Sequence, residues 1–160
     1  MESCDRRVGS RGHEGELKRM ARDLRIEDSV LFVGPQYGET KAEFYRNCDA
    51  FILPSFSEGT PMSILEAWSY AKPVLMTPEC NLPEGLEAGA AICFRPTVEA
   101  IEQGLQRLAL MSDLERQAMG ERSLKLVKER FRWSRVAHDM ITVYRWLLGT
   151  ADRPDCVRLD

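Results

Sequence analysis

Histidine is scarce in this sequence: the 160 residues contain two, His13 and His138, far apart and with no cysteine or acid at ligand spacing. That excludes the familiar zinc signatures. The five cysteines, Cys4, Cys48, Cys80, Cys93 and Cys156, are odd in number, scattered, and never form a C-x-x-C pair. They read as reduced thiols of a cytoplasmic protein rather than as a disulfide framework. Long apolar runs are missing too, since none approaches the ~20 residues that cross a bilayer. The opening "MESCDRRVGSRGHEG" has no apolar core of a signal peptide. Nor does one sign of charge dominate: 22 basic and 25 acidic residues give a net charge of −3, which argues against nucleic acid as a partner. What is present, 44% hydrophobic and 29% charged residues, is the balance of a soluble globular chain long enough for one core.

Periodicity sorts the chain into alternating elements. Residues 1–13 are polar and glycine-rich and read as irregular. In "EGELKRMARDLRI", Leu17, Met20, Ala21 and Leu24 recur at helical spacing. "SVLFVG" reads as a strand stopped by glycine, "ETKAEFYRNC" as a short helix, and "DAFILPS" as a second strand. A strong helix follows around residues 61–71, then strands at "KPVLMT" and "AAICF". Short, almost continuously apolar strands between helices imply a parallel sheet covered on both faces.

From Thr97 onward the pattern is helical only. Val98, Ile101, Leu105 and Leu108 share one face. Ser112 with Glu115 three residues on forms a capping box for the next helix. The last helix, "WSRVAHDMITVYRWLLG", carries one stripe of Val136, Met140, Val143 and Leu147 and a second of Ala137, Ile141, Tyr144 and Leu148. So wide an apolar face needs more than one covering surface, and an exposed patch is expected without one. Gly149 ends that helix, and residues 149–160 read as a loose tail.

The chemistry concentrates in "SEGTPMSILEAW". In a doubly wound sheet, ligands bind beyond the carboxyl ends of the strands, where loops enter helix N-termini. Thr60 as N-cap and Pro61 as first helical residue would leave the amides of Met62 and Ser63 as donors at the positive end of the helix dipole. That is a seat for an anion, best suited to phosphate. Glu66 lies on the same helix face as Met62 and Ser63, about one turn deeper, and Glu58 lies in the loop ahead of the cap. A nucleotide-sugar, with ribose, diphosphate and a second sugar, fits such a bracket. The ordinary alternative is that both acids complement the helix dipole.

The ordered set "FILPSFSEGTPMSILEAWSYAKPVLMT" closely resembles the nucleotide-sugar segment of the retaining GT-B glycosyltransferases of the family 4 type, the group 1 glycosyl transferases, with their E-x7-E motif. The preceding "GELKRMARDLRIEDSVLFVGPQYGETKAEFYRNCDAFILPS" and the closing "ERFRWSRVAHDMITVYRWLL" are similar to the flanks of that family's C-terminal domain. The resemblance covers residues 14–148. It implies an α/β fold, a Rossmann-like parallel sheet covered by helices, as an incomplete C-terminal domain with a C-terminal helical segment. It implies transfer of a sugar from a nucleotide-diphospho-sugar, with retention, to a saccharide or lipid-linked acceptor in polysaccharide biosynthesis, with no metal and no further cofactor.

Carried over by position, Glu58 is the catalytic candidate, contacting donor-sugar hydroxyls and stabilising charge at the reacting carbon. Gly59, Thr60, Pro61, Met62 and Ser63 are expected to wrap the sugar and diphosphate. Glu66 is expected to hold the ribose, with Ile64 or Leu65 beside it. Gly34, Gln36 and Tyr37 match the loop edging the nucleobase, and Glu84 within "NLPEG" occupies a loop near the cleft.

The family's domain opens with two strands bearing an arginine and a lysine that neutralise the diphosphate, and residues 1–13 show no such strand. Arg6, Arg7 and Arg11 are not assigned that role. The acceptor-binding domain is missing as well, so the chain reads as an N-terminally truncated donor-binding part, inactive alone, that requires a missing domain, a partner subunit or self-association through its apolar face. The rival readings are a non-catalytic module of the same fold acting by association and, less well matched, another phosphate-binding Rossmann-like protein such as a sugar-nucleotide epimerase. Lys125, Lys128, Arg130, Arg132 and Arg135 leave peripheral contact with the inner face of a membrane open. Trp68, Trp133 and Trp146 read as core or interface residues, His13 as a solvated loop residue and His138 as a structural partner.

Overall fold

In the computed structural model, residues 9–158 are described, and the chain divides into two compact units, Met1–Lys41 and Ala42–Asp160. In the first unit, α1 (Gly9–Asp23) starts earlier than the apolar pattern indicates, so residues 9–13 are helical rather than irregular; residues 1–8 lie outside the described residues. Polar residues give no periodic signal, yet extending a nucleated helix gains one hydrogen bond per residue. Of the expected stripe only Ala21 is buried, with Leu17, Met20 and Leu24 exposed. The helix ends in a Schellman motif: the Ile26 amide donates to Ala21 O and the Arg25 amide to Arg22 O, both at 2.9 Å. Arg25 takes the left-handed conformation (φ 57), where glycine is usual.

The expected strand "SVLFVG" is not one. Val30 is extended, with φ −120 and ψ 115, but among the described residues nothing pairs with this segment, and Leu31 is 83% exposed. Apolar β-branched composition favours the extended backbone, whereas a strand also needs a neighbour to take its hydrogen bonds. Phe32 instead lies under the ammonium of Lys18, 5.5 Å from its ring centroid. The boundary between the units falls within α2 (Gly38–Asn47).

The second unit holds a three-stranded parallel sheet, β1 (Phe51–Leu53), β2 (Val74–Met76) and β3 (Ala91–Cys93), in that spatial order. Phe51 registers with Val74, and Val74 with Ala91. Parallel neighbours need crossovers. α3 (Met62–Ser69) connects β1 to β2, and the short α4 (Pro83–Glu87) connects β2 to β3. Side chains alternate along a strand, so Val74 and Met76 enter one core with Ile64, Trp68, Leu82 and Leu126, while Leu75 enters a second with Ile92, Phe94 and Met119. All three β2 residues are 2% exposed or less, as expected of a central strand covered on both faces.

Three longer helices follow: α5 (Val98–Leu110), α6 (Asp113–Arg130) and α7 (Trp133–Leu147). Thr97 caps α5, accepting from the Ala100 amide at 3.3 Å. The buried face of α5 differs from the expected stripe, because Val98 and Leu105 are exposed and Gly104 is buried. A Cβ at Gly104 would meet Phe94 at 3.3 Å, so the missing side chain brings α5 down on Phe94 and rotates its contact face. The α6 capping box is present. The Ser112 amide donates to Glu115 Oε2 at 2.8 Å and the Glu115 amide to Ser112 Oγ at 3.3 Å. Ser112 Oγ also donates to Glu115 Oε2 at 2.7 Å, and this bond, then the one from the Ser112 amide, holds the Glu115 carboxyl below the ordinary glutamate range.

α6 packs on α3 through Gly120, where a Cβ would lie 1.9 Å from the Ala71 carbonyl oxygen. α7 buries no residue completely and exposes Trp133, Val136, Met140, Ile141, Tyr144, Leu147 and Leu148, the open apolar face read from its two stripes. Gly149 (φ 70) closes it, with the Thr150 amide on Arg145 O at 2.9 Å. Residues 149–158 carry no helix or strand, only a turn in which the Val157 amide donates to Pro154 O. Among the described residues no helix is long and apolar enough to cross a membrane, and Cys48, Cys80, Cys93 and Cys156 are unpaired.

Candidate functional site at the start of helix α3

β1 delivers the chain to the loop that carries Glu58, and the loop is held from the next crossover. The buried Thr77 hydroxyl, just past β2, donates to Ser55 O at 2.5 Å. Ser55 Oγ in turn donates to Glu58 Oε1 at 2.9 Å. The Glu58 amide donates to Glu79 O at 3.0 Å, and Asn81 Nδ2 donates to Glu58 O at 2.6 Å. Asn81 adopts the left-handed conformation, φ 54 and ψ 37, which asparagine tolerates better than most residues. Glu58 is therefore a half-buried carboxylate fixed by its backbone and by one hydroxyl. Glu84, singled out from the same loop in the sequence, sits instead in α4 and lines cavities of about 360 and 580 Å³ with Glu129 and Arg130 at the end of α6. The side chain of that loop that reaches the Glu58 segment is Asn81.

The helix start differs from expectation by one residue. Pro61, not Thr60, is the N-cap, with φ −74 and ψ 93, and no side chain caps the helix. Thr60 is exposed, whereas Pro61 is buried, with ψ outside the helical range. Its carbonyl accepts from the Ile64 amide at 3.0 Å. Among the described residues no acceptor takes the amides of Met62 and Ser63, so the donor pair at the positive end of α3 stands. Gly59 and Thr60 are exposed beside it, and Met62 is exposed with its side chain. Ile64 is corrected: its side chain is fully buried in the core and its amide is bonded, leaving neither for a ligand.

Glu66, half-buried on α3, has a partner that the sequence pattern did not single out. Tyr45 Oη, from α2, lies 3.2 Å from Glu66 Oε2 and 3.2 Å from Ser63 O. The Tyr45 ring is stacked on Tyr70, with centroids 5.5 Å apart at 14°, and tilted against Phe51 at 5.8 Å. Burial, then the charge and hydrogen bond of Glu66, push the Tyr45 phenol up to about 12. Ser55, Thr77, Asn81 and Tyr45 all stand in stretches quoted above, yet none was a site candidate, and an apolar-looking tyrosine in a short helix gives no signal of its own.

Gly34, Gln36 and Tyr37 belong to the first unit. Gly34 has φ +63, Gln36 Nε2 donates to Val33 O at 2.5 Å, and Tyr37 is 78% exposed. Trp68 is fully buried in the core, while Trp133 is 83% exposed. His13 is exposed, 3.6 Å from Glu16, and His138 is exposed as well. The described residues contain no group of three His, Cys, Asp or Glu side chains arranged to hold a metal ion. Chemically, the α3 start offers two amide donors to an anion, with Glu58 four residues before Met62 and Glu66 four after it.

Residues 8–126 match the family model described as "Glycosyl transferases group 1". A D-inositol 3-phosphate glycosyltransferase of Saccharomonospora viridis is 28% identical over 131 residues, covering 81% of this chain and 30% of that protein. The chain spans about a third of the length of the curated relatives it matches. Among solved structures, a sucrose-phosphate synthase from Thermosynechococcus elongatus superposes with a TM-score of 0.75 at 20% identity, over 88% of this chain and 35% of that one. The C-terminal domain of a glycosyl transferase group 1 family protein from Francisella tularensis gives 0.67 at 19% identity, over 76% of this chain and 64% of that one. With its GT-B type, Rossmann-like α/β architecture, the chain belongs to the group 1 glycosyl transferases.

Proposed function

We propose that this chain is the donor-binding part of a retaining glycosyltransferase of the family 4 type that uses a nucleotide-diphospho-sugar. The observation that carries this reading is the pair of unbonded amides at Met62 and Ser63, bracketed by Glu58 and Glu66. The diphosphate sits on those amides at the α3 dipole, with Gly59, Thr60 and Pro61 wrapping it and the adjoining sugar. Glu66 receives the ribose hydroxyls. Glu58 contacts the donor sugar and stabilises the positive charge that develops at its anomeric carbon. Gly34, Gln36 and Tyr37 are the nucleobase candidates.

In the reaction the bond from the anomeric carbon to the diphosphate oxygen breaks, a bond to the acceptor hydroxyl oxygen forms on the same face, and the hydroxyl proton passes to the leaving diphosphate. The helix-end amides stabilise the leaving diphosphate. The acceptor, a saccharide or lipid-linked sugar in polysaccharide assembly, requires a second domain, because the chain spans about a third of its relatives. This donor-binding part is inactive alone and works in the cytoplasm or at the inner face of the membrane. A second reading, a non-catalytic module acting by association with a partner subunit or a second copy, is favoured by one observation, the exposed apolar face of α7.

Calorimetry of the full chain with millimolar UDP, GDP and ADP tests the donor reading. One nucleotide should bind, and Glu66→Ala should weaken it about tenfold, the loss of hydrogen bonds to a charged group. No heat from any of the three with folded protein, or equal binding by Glu66→Ala, would sink the assignment.

A further inference from the structure

We infer that Tyr45 is a positioning residue for Glu66. Its hydroxyl sets the carboxylate in the orientation that receives the ribose, so Tyr45 governs preference for ribose over deoxyribose without belonging to the nucleotide-contacting set. The inference rests on the reading of Glu66 given above.

The tyrosine ring is immobilised before any ligand arrives. It is 8% exposed, stacked on Tyr70 and tilted against Phe51, so packing alone decides where Oη stands. A phenol has one proton to donate. Of the two acceptors at 3.2 Å, Glu66 Oε2 and Ser63 O, the ionised carboxylate forms the stronger bond. A glutamate side chain has three rotatable bonds, and ordering it on ligand binding costs conformational entropy. A hydroxyl delivered from another helix pays that cost in advance, as preorganised sites do. The Ser63 carbonyl, at the same distance on the first turn of α3, is the competing acceptor that the hydroxyl turns to when Glu66 moves away.

The test uses the full chain and whichever of UDP, GDP and ADP binds tightest, together with its 2′-deoxy counterpart. Both are titrated into wild type, Tyr45→Phe, Glu66→Ala and the double variant. Tyr45→Phe keeps the ring and its stack, and thermal unfolding checks that the fold is retained. Tyr45→Phe should weaken the ribonucleotide about fivefold and leave the 2′-deoxy nucleotide within about twofold of wild type, so the preference collapses. In the Glu66→Ala background, Tyr45→Phe should change neither affinity further. Equal weakening of both nucleotides would mark Tyr45 as merely structural and overturn the inference, as would an unchanged preference. If Glu66→Ala erases the preference and Tyr45→Phe does not, the Tyr45 inference fails while the Glu66 reading survives. If wild type binds no nucleotide, or Glu66→Ala is silent, the Glu66 reading itself fails and the inference falls with it.

Discussion

α3 and α7 are both rich in apolar residues, yet α3 buries Ile64, Ala67 and Trp68 completely and α7 buries nothing. The difference lies in their partners. α3 sits between the sheet and α6, and Gly120 lets the α6 backbone come against the Ala71 carbonyl. α7 meets neighbours along one side only and leaves Trp133, Tyr144, Leu147 and Leu148 more than half exposed. Apolar content states that a surface is wanted, and small residues at the crossing points decide whether it is obtained.

The sharpest way to break this contrast is Gly120→Ala. In an isolated helix the change gains about 1 kcal/mol, but here the new methyl group would stand 1.9 Å from a backbone oxygen. The helices must separate, and a net loss of about 3 kcal/mol is expected in urea denaturation. A stabilised variant would refute the close approach of α6 to the Ala71 carbonyl.

A smaller effect is expected at the end of α6 that faces neither core. Ser112→Ala removes the capping box and should cost about 1 kcal/mol near neutral pH. Because the folded Glu115 carboxyl is held below its ordinary value of 4.5, its share of that stability is present above the unfolded value and is lost as pH falls through the folded one. The gap between wild type and Ser112→Ala should therefore narrow when urea curves at pH 7 are repeated at pH 3. A gap that is constant with pH would refute the role of Glu115.

The smallest effect belongs to α7. Leu147→Gln, at a residue 65% exposed, should change stability by less than about 0.5 kcal/mol. A loss of 2 kcal/mol or more in a concentration-independent unfolding curve would show that the α7 face is covered within the chain.

Much of the α/β order was legible in the sequence, for particular reasons. Val74–Met76 within "KPVLMT" and Ala91–Cys93 within "AAICF" are apolar on every residue because β2 is buried on both faces and Ala91 and Ile92 face opposite cores, and a run of that kind has few alternatives. Ser112 and Glu115 announced their own contact because a capping box is local. "SVLFVG" misled because strand identity depends on a partner elsewhere, and α5 misled because Gly104 turned its contact face toward Phe94.

The candidate site divides along the same line. The spacing of Glu58, the amides after Pro61 and Glu66 is a property of a short stretch whose geometry follows from a strand, a loop and a helix start. The groups that hold the acids in place are partly distant in the chain: Glu58 takes the nearby Ser55 hydroxyl, but Ser55 is itself gripped from afar, and the partner of Glu66 comes from another helix. Thr77 reaches Ser55 across 22 positions and Tyr45 reaches Glu66 across 21. Local periodicity and capping chemistry were enough to place the long helices and the buried strands, though not α4 or the exact starts of α1 and α3, since each depends on residues within a turn or two. Which face each helix buries, which apolar surface stays open and what orients Glu58 and Glu66 were decided only when distant segments met, because packing and side-chain hydrogen bonds depend on three-dimensional proximity.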